Sequence, residues 1–153
     1  TLKRVLESLG HKTKLIIELK NDKEQNPDYL VDQVVALIEE TETMKNVIVS
    51  SFEFKNLVTA KNRMPDLSTA LILEKGISGF WDRHLFKHSI NVDALHPSIG
   101  EITEKLVRTE HLNHRKVRVW GVNESFDMMQ MEKFGVDAII TDDPKLGLIY
   151  NLN

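Results

Sequence analysis

The stretch Lys14-Leu15-Ile16-Ile17-Glu18-Leu19-Lys20 begins the pattern that decides the fold. Its aliphatic and β-branched residues predict a strand. Asn26-Pro27 then combines a helix N-cap residue with a proline at the first helical position. An apolar stripe at helical spacing continues to about Thr43, and a second aliphatic run covers 46–51. The order strand, helix, strand is typical of a parallel βαβ unit, because parallel neighbours need a crossover connection.

The same alternation continues to the end of the chain. The predicted strands cover 14–20, 46–51, 68–73, 90–95, 116–122 and 137–141. An open doubly wound sheet and a (β/α)₈ TIM barrel both have this order. The first strand is followed by a turn without glycine (21–27), which disfavours a nucleotide-binding Rossmann sheet. Because complete barrels have about 250 residues, we predict the α/β class with an incomplete (β/α)₈ barrel of about six βα units, its N-terminal strands missing.

Composition excludes several classes of protein. The chain has 153 residues, of which 41% are hydrophobic and 28% charged, which is ordinary for a globular domain. Twenty Lys and Arg against 23 Asp and Glu give a formal charge of −3, which argues against nucleic acid as a partner. No apolar run approaches the roughly 18 residues of a membrane-spanning helix. The absence of cysteine excludes thiolate nucleophiles and cysteine-based zinc sites, and leaves the redox compartment undetermined.

Charged residues end the first predicted strand. Strand alternation places Leu15, Ile17 and Leu19 on one face, and Glu18 with Lys20 on the other. In a barrel, Glu18 and Lys20 would lie about 7 Å apart at the mouth, where the carboxylate could hold a divalent cation and the ammonium a phosphate oxygen. The alternative is a simple exposed ion pair, which contributes about 0–1 kcal/mol.

A tryptophan ends the fifth predicted strand. Trp120 lies late in Val117-Arg118-Val119-Trp120-Gly121-Val122-Asn123, where an aromatic ring could form one wall of a ligand pocket. A core tryptophan that fills the barrel is the alternative. Arg118 shares the face of Trp120, and we expect it to lie nearer the closed end of the barrel with a carboxylate partner.

The chain contains four characteristic segments in order: Ile17-Glu18-Leu19-Lys20, Ser50-Ser51-Phe52-Glu53, Trp120-Gly121-Val122-Asn123 and Gly135-Val136-Asp137-Ala138-Ile139-Ile140-Thr141-Asp142-Asp143-Pro144. Together they resemble glycerophosphodiester phosphodiesterases. A glycine, Gly121, stands where that family usually has threonine. The opening 1–6 also resembles the helix that precedes the family's Glu-x-Lys strand. The resemblance covers essentially the whole chain but only the C-terminal part of the family's domain, so the expected domain is 1–153 as that C-terminal portion.

The resemblance implies a (β/α)₈ barrel that hydrolyses glycerophosphodiesters to an alcohol and glycerol 3-phosphate with Mg²⁺ or Ca²⁺. By the same analogy Glu18 is a metal ligand and Lys20 neutralises phosphate charge. Trp120 would line the pocket over the glycerol or alcohol portion of this small-molecule substrate. Carboxylate oxygen is the ligand type that both cations prefer.

The family's catalytic segments are expected to precede Thr1. These are its His-Arg-Gly, Glu-x-Asp and His-Asp segments, and nothing in the chain replaces them. We therefore assign no catalytic residue and expect a fragment that is inactive alone, since it lacks a general acid and base. Unpaired strand edges would invite association. The expected partner is the missing N-terminal segment or a second copy of the chain.

Other polar residues have weaker claims to a function. His84 and His88 stand four residues apart without a carboxylate motif, which favours a solvated or structural role. His96 follows a strand and is placed near the barrel mouth. Ser51 has either a pocket role or a helix-capping role, and Asp143 is predicted to cap the helix that Pro144 begins.

Two other functions remain open at this point. The chain could be a noncatalytic barrel-derived domain that serves oligomerisation or ligand binding. It could also be an unrelated α/β phosphate-binding protein with coincident motifs. Replacement of Glu18 by Gln separates them, since only a phosphodiesterase would lose divalent-cation binding.

Overall fold

The computed structural model describes residues 1–21, 27–73 and 92–149. The helices in these ranges are α1 (Leu2–Leu9), α2 (Pro27–Glu40), α3 (Phe54–Arg63), α4 (Glu104–Leu112), α5 (Ser125–Phe134) and α6 (Pro144–Gly147). The strands are β1 (Leu15–Glu18), β2 (Val47–Ser51), β3 (Ser68–Leu73), β4 (Ala94–Pro97), β5 (Lys116–Trp120) and β6 (Ala138–Ile140). The chain consists of two compact units, Thr1–Leu71 and Ile72–Asn153.

The first unit is built on parallel strands in chain order. β1 pairs with β2 in a register that sets Glu18 beside Ser50, and β2 pairs with β3. The apolar stripe predicted for α2 is its buried face, since Val31 and Ile38 have no exposed surface. Burial of such a stripe against a sheet supplies most of a helix's stability in proteins.

The second unit repeats this arrangement. β4, β5 and β6 are parallel neighbours in chain order, and Trp120 lies beside Ile140 in the register of β5 with β6. On the other face of β5, Val117 and Val119 are fully buried. They pack with side chains of α4 and α5 in one hydrophobic cluster, which contains Val107, Val117, Val119, Val122, Met128, Met131 and Val136.

Several predicted boundaries differ from the structure. The fourth strand was predicted over 90–95, but β4 covers Ala94–Pro97, so His96 lies inside the strand and does not follow it as predicted. β5 ends at Trp120 rather than Val122, because Gly121 has a φ of 77° and this left-handed backbone interrupts the strand. Glu124 occupies the N-cap position of α5. Gly135 ends α5 with a φ of 71°, the left-handed conformation that is common after helices.

The strand order confirms the fold class. Each described strand pairs in parallel with its sequence neighbour inside its unit, and helices separate the strands. This is the α/β arrangement of an incomplete (β/α)₈ barrel, as predicted. None of the helices in the described ranges has the length and apolarity needed to cross a membrane.

Candidate active site

Glu18 and Lys20 lie together at the carboxyl end of β1. Their Oε1 and Nζ atoms are 3.5 Å apart, and the side chains are 34% and 77% exposed, respectively. Leu19, between them, is only 3% exposed. The predicted alternation of buried and exposed side chains is therefore confirmed at the end of β1. The two charged side chains are the exposed ones. The same geometry also fits the plain ion pair that the sequence left as an alternative.

A buried polar network stabilises the end of β1, and most of it was not predicted from the sequence. Ser51 is fully buried, and its Oγ donates to the Leu19 carbonyl at 3.0 Å. The Asn56 amide donates to Ser51 Oγ at 3.0 Å and to Asn21 Oδ1 at 3.1 Å. The Glu53 backbone N–H also donates to Ser51 Oγ, at 3.1 Å. Ser51 thus ties the end of β1 to the start of α3, combining a helix-start contact with support of the candidate site.

Glu18 is a chemically suitable but insufficient cation ligand. Its carboxylate offers the hard oxygen that Mg²⁺ and Ca²⁺ prefer. Across the described ranges, however, no group of three or more His, Asp or Glu side chains is placed to hold a metal ion. A divalent site at Glu18 would need further ligands from outside these ranges.

Trp120 is fixed at the carboxyl end of β5 in the second unit. Its indole N–H donates to the Leu73 carbonyl at 3.2 Å. Ser98 forms a parallel bridge with Trp120, and the Ile99 N–H donates to the Trp120 carbonyl at 3.0 Å. The backbone of Trp120 is therefore paired with the residues that follow β4, and its indole ring is anchored by one hydrogen bond to Leu73.

Arg118 contacts a histidine rather than the expected carboxylate. Its Nη1 lies 3.4 Å from Nε2 of His96 on β4, and Arg118 forms no ion pair within the described part of the chain. Burial, reinforced by the positive charge of Arg118, lowers the pKa of His96 to about 4. His96 is therefore neutral at pH 7, and Nε2 accepts the hydrogen bond while Nδ1 carries the proton.

The carboxylate of Asp137 lies at the start of β5. It accepts hydrogen bonds from Lys116, from the Val117 N–H and from His111. Burial raises the pKa of Asp137, but these three hydrogen bonds outweigh it and leave the pKa below its usual value. Asp137 acts on Arg118 only through space.

Asn123 joins the loops that follow β5 and β6. Its amide donates to Asp142 Oδ2 at 2.8 Å, and its Oδ1 accepts from the Asp142 N–H at 2.9 Å and from Thr141 Oγ1 at 3.1 Å. Asp143 accepts from the Leu146 N–H at 3.0 Å, which confirms it as the cap of α6. The two adjacent aspartates thus have separate structural partners. His84 and His88 lie outside the described residues.

Comparison with family models and curated proteins identifies a family. Residues 1–146 match the model of the glycerophosphoryl diester phosphodiesterase family. A glycerophosphodiester phosphodiesterase of Caldanaerobacter subterraneus subsp. tengcongensis is 34% identical over 146 residues, which are 95% of this chain and 58% of that protein. The chain therefore spans about 58% of the length of this curated relative.

Solved structures share the fold. A glycerophosphodiester phosphodiesterase from Parabacteroides distasonis matches with a TM-score of 0.80 and 19% identity, over 97% of this chain and 62% of that one. An Oleispira antarctica phosphodiesterase, solved with its product sn-glycerol-3-phosphate, matches with a TM-score of 0.76 and 19% identity, over 96% of this chain and 57% of that one. The family match extends over nearly the whole sequence, and the chain belongs to the glycerophosphoryl diester phosphodiesterase family.

Proposed function

We propose that the protein hydrolyses glycerophosphodiesters to an alcohol and glycerol 3-phosphate. The observation that carries this proposal is the family match over residues 1–146, together with 34% identity to a glycerophosphodiester phosphodiesterase. In this reaction water adds to phosphorus, the bond from phosphorus to the alcohol oxygen breaks, and the alcohol leaves with a proton. Phosphoryl transfer of this kind depends mainly on positioning and charge neutralisation.

In this proposal Glu18 is one ligand of a Mg²⁺ or Ca²⁺ ion, completed by ligands outside the described residues. The cation would polarise a phosphoryl oxygen when bound. Support comes from the partly exposed carboxylate at a strand end, where α/β proteins place ligands. The Ser51 and Asn56 network keeps the backbone beneath it in place.

Lys20 neutralises phosphate charge in the same proposal. Its ammonium is 77% exposed and reaches Glu18 at 3.5 Å, so it can exchange this ion pair for a phosphate oxygen at small cost. Trp120 forms the wall against the glycerol or alcohol portion, supported by its fixed indole ring. We assign no catalytic acid or base to this chain.

We further propose that residues 1–153, the C-terminal portion of the barrel domain, do not turn over substrate alone. One carboxylate and one lysine do not supply both a general acid and a general base. The complementary partner would be an N-terminal barrel segment or a second copy of the chain. Support comes from β1, which within the described first unit pairs only with β2 and exposes 43% of Ile16.

A reconstitution experiment tests the proposed function. The segment of the Caldanaerobacter relative outside the matched region is fused to this chain, and release of choline from glycerophosphocholine is measured with Mg²⁺ or Ca²⁺. We expect turnover by the fusion and none by the 153-residue chain or the added segment alone. Cation-dependent turnover by the chain alone would contradict the proposed inactivity, and an inactive but folded fusion would contradict the assigned reaction. Light scattering of the chain alone tests the partner, since a strict monomer of 17.6 kDa would contradict association.

A further inference from the structure

One face of β4 and β5 carries four polar or aromatic side chains in a two-by-two array. The pairing of Leu95 with Val117 places His96 beside Arg118 one residue later. Ser98 then lies beside Trp120, where the strands form a further parallel bridge. The valines of β5 pack on the helices behind it, so Arg118 and Trp120 point to the opposite side. These four residues, His96, Ser98, Arg118 and Trp120, are called the β4–β5 array below.

Ser98 is a buried hydroxyl without a partner. Only 6% of the residue is exposed, and its Oγ makes no hydrogen bond with any residue that the structure describes. A buried polar group left in this state is destabilising, and such groups are rare in folded proteins. A bound ligand that accepts a hydrogen bond from Ser98 would remove this cost.

Arg118 has unused donors on the same face. A guanidinium carries five N–H groups, and the contact with His96 uses one of them. No carboxylate of the described residues forms an ion pair with Arg118, although Asp93 and Asp137 act on it through space. Asp137 is itself bound to Lys116 and His111, so its carboxylate oxygens are engaged there rather than with Arg118.

His96 sets the direction of the guanidinium. Only 1% of His96 is exposed, and a neutral imidazole accepts from Arg118 without opposing its charge. A planar guanidinium held at one corner can present its remaining edge to two oxygens of one anion. The array therefore has a fixed cation, a free hydroxyl donor and an adjacent indole.

We propose that Arg118 and Ser98 form a subsite for an oxyanion of the phosphate class, with the Trp120 ring beside it and His96 as the positioning residue. This inference goes beyond the proposed function, in which only Trp120 has a role. It also does not depend on hydrolysis, because the subsite lies entirely within the second unit and needs neither Glu18 nor Lys20.

Titration of the 153-residue chain with inorganic phosphate tests the subsite. The ¹⁵N-labelled chain is titrated at pH 8 against potassium chloride of matched ionic strength, and the indole N–H signal of Trp120 is followed. The chain has two tryptophans, so the Trp81→Phe variant assigns that signal. We expect a saturable shift with phosphate and none with chloride. Absence of a saturable shift would overturn the proposal.

Matched variants locate the anion. We expect Arg118→Gln to weaken phosphate binding by about ten-fold or more, and Ser98→Ala by several-fold, because hydrogen bonds to charged groups are stronger than neutral ones. Arg118→Lys keeps the positive charge but lacks the planar guanidinium. Its phosphate affinity should therefore lie between those of wild type and Arg118→Gln. Arg108→Gln removes one cation from the exposed surface of α4 and should change nothing.

Each result decides for or against the subsite. Equal phosphate affinity in wild type and Arg118→Gln would overturn the proposal, as would an equal loss in Arg108→Gln. If Arg118→Gln fails to fold by circular dichroism, Arg118→Lys and Ser98→Ala decide in its place, and wild-type affinity in both would overturn it. An inactive fusion in the hydrolysis assay leaves these binding outcomes unchanged, so the two failures are distinguishable.

Discussion

The indole N–H of Trp120 donates a hydrogen bond to the backbone carbonyl of Leu73 at 3.2 Å, within the second unit. Trp120→Phe keeps an aromatic ring but removes this donor. We expect the free energy of unfolding to fall by about 1 kcal/mol, the usual net contribution of one hydrogen bond. Urea denaturation of the chain measures this change. An unchanged free energy of unfolding would show that the bond does not hold the ring.

His96 makes stability depend on pH. Its pKa is about 4 in the fold against an ordinary 6.5, because burial and Arg118 disfavour the charged form. Between these values the unfolded chain binds a proton that the folded chain does not, so stability is complete above pH 6.5 and falls as the pH decreases toward 4. The loss amounts to about 3 kcal/mol at the lower end.

The variant His96→Gln isolates this effect. Glutamine does not titrate, so the part of the slope between pH 6.5 and 4 that is due to residue 96 should disappear, whatever the variant's absolute stability. Thermal unfolding across this range measures the slope. The same slope in wild type and variant would contradict a buried neutral histidine at this position.

Gly121 should be the least replaceable residue after β5. Its φ of 77° is strained for residues with a Cβ, although an added Cβ would meet only Ile99 Cγ2, at 3.8 Å. We expect Gly121→Ala to lower the free energy of unfolding by about 1–2 kcal/mol. Gly121→Asn should lose less, because asparagine tolerates left-handed backbone, and Gly121→Thr, the family's usual residue, should lose most. The reverse order in denaturant unfolding would contradict the backbone explanation.

The Ser51 hydroxyl should contribute strongly to the free energy of unfolding of the first unit. Ser51→Ala removes a hydroxyl that donates to Leu19 and accepts from Asn56 and Glu53, and leaves buried groups without this partner. We expect a loss of about 1–3 kcal/mol in the free energy of unfolding. Ser8→Ala, on the exposed side of α1, is the matched control and should change it little. Equal effects of both variants would argue against the network.

The fold was predictable because its signals are local. Aliphatic runs locate all six described strands, and Asp143-Pro144 correctly marks the start of α6. The boundary at Gly121 was not predictable, since a glycine's φ depends on the turn that surrounds it.

The candidate site was only partly predictable for the same reason. Alternation on one strand brings Glu18 and Lys20 together, and their 3.5 Å contact needs no tertiary information. The partners of Ser51, Asn56 and Arg118 come from other elements of the chain. The sequence predicted a carboxylate beside Arg118, but the parallel register of β4 and β5 places His96 there.

The most direct test of the account is the role of Glu18 in the fused protein. We predict that Glu18→Gln lowers Mg²⁺- or Ca²⁺-dependent hydrolysis of glycerophosphocholine by about a hundred-fold or more, since a divalent cation supplies several kcal/mol of charge stabilisation. Glu39→Gln, which neutralises an exposed carboxylate of α2, is the matched control and should keep full activity. Hydrolysis by Glu18→Gln with the rate and cation dependence of the unchanged fusion would contradict the account.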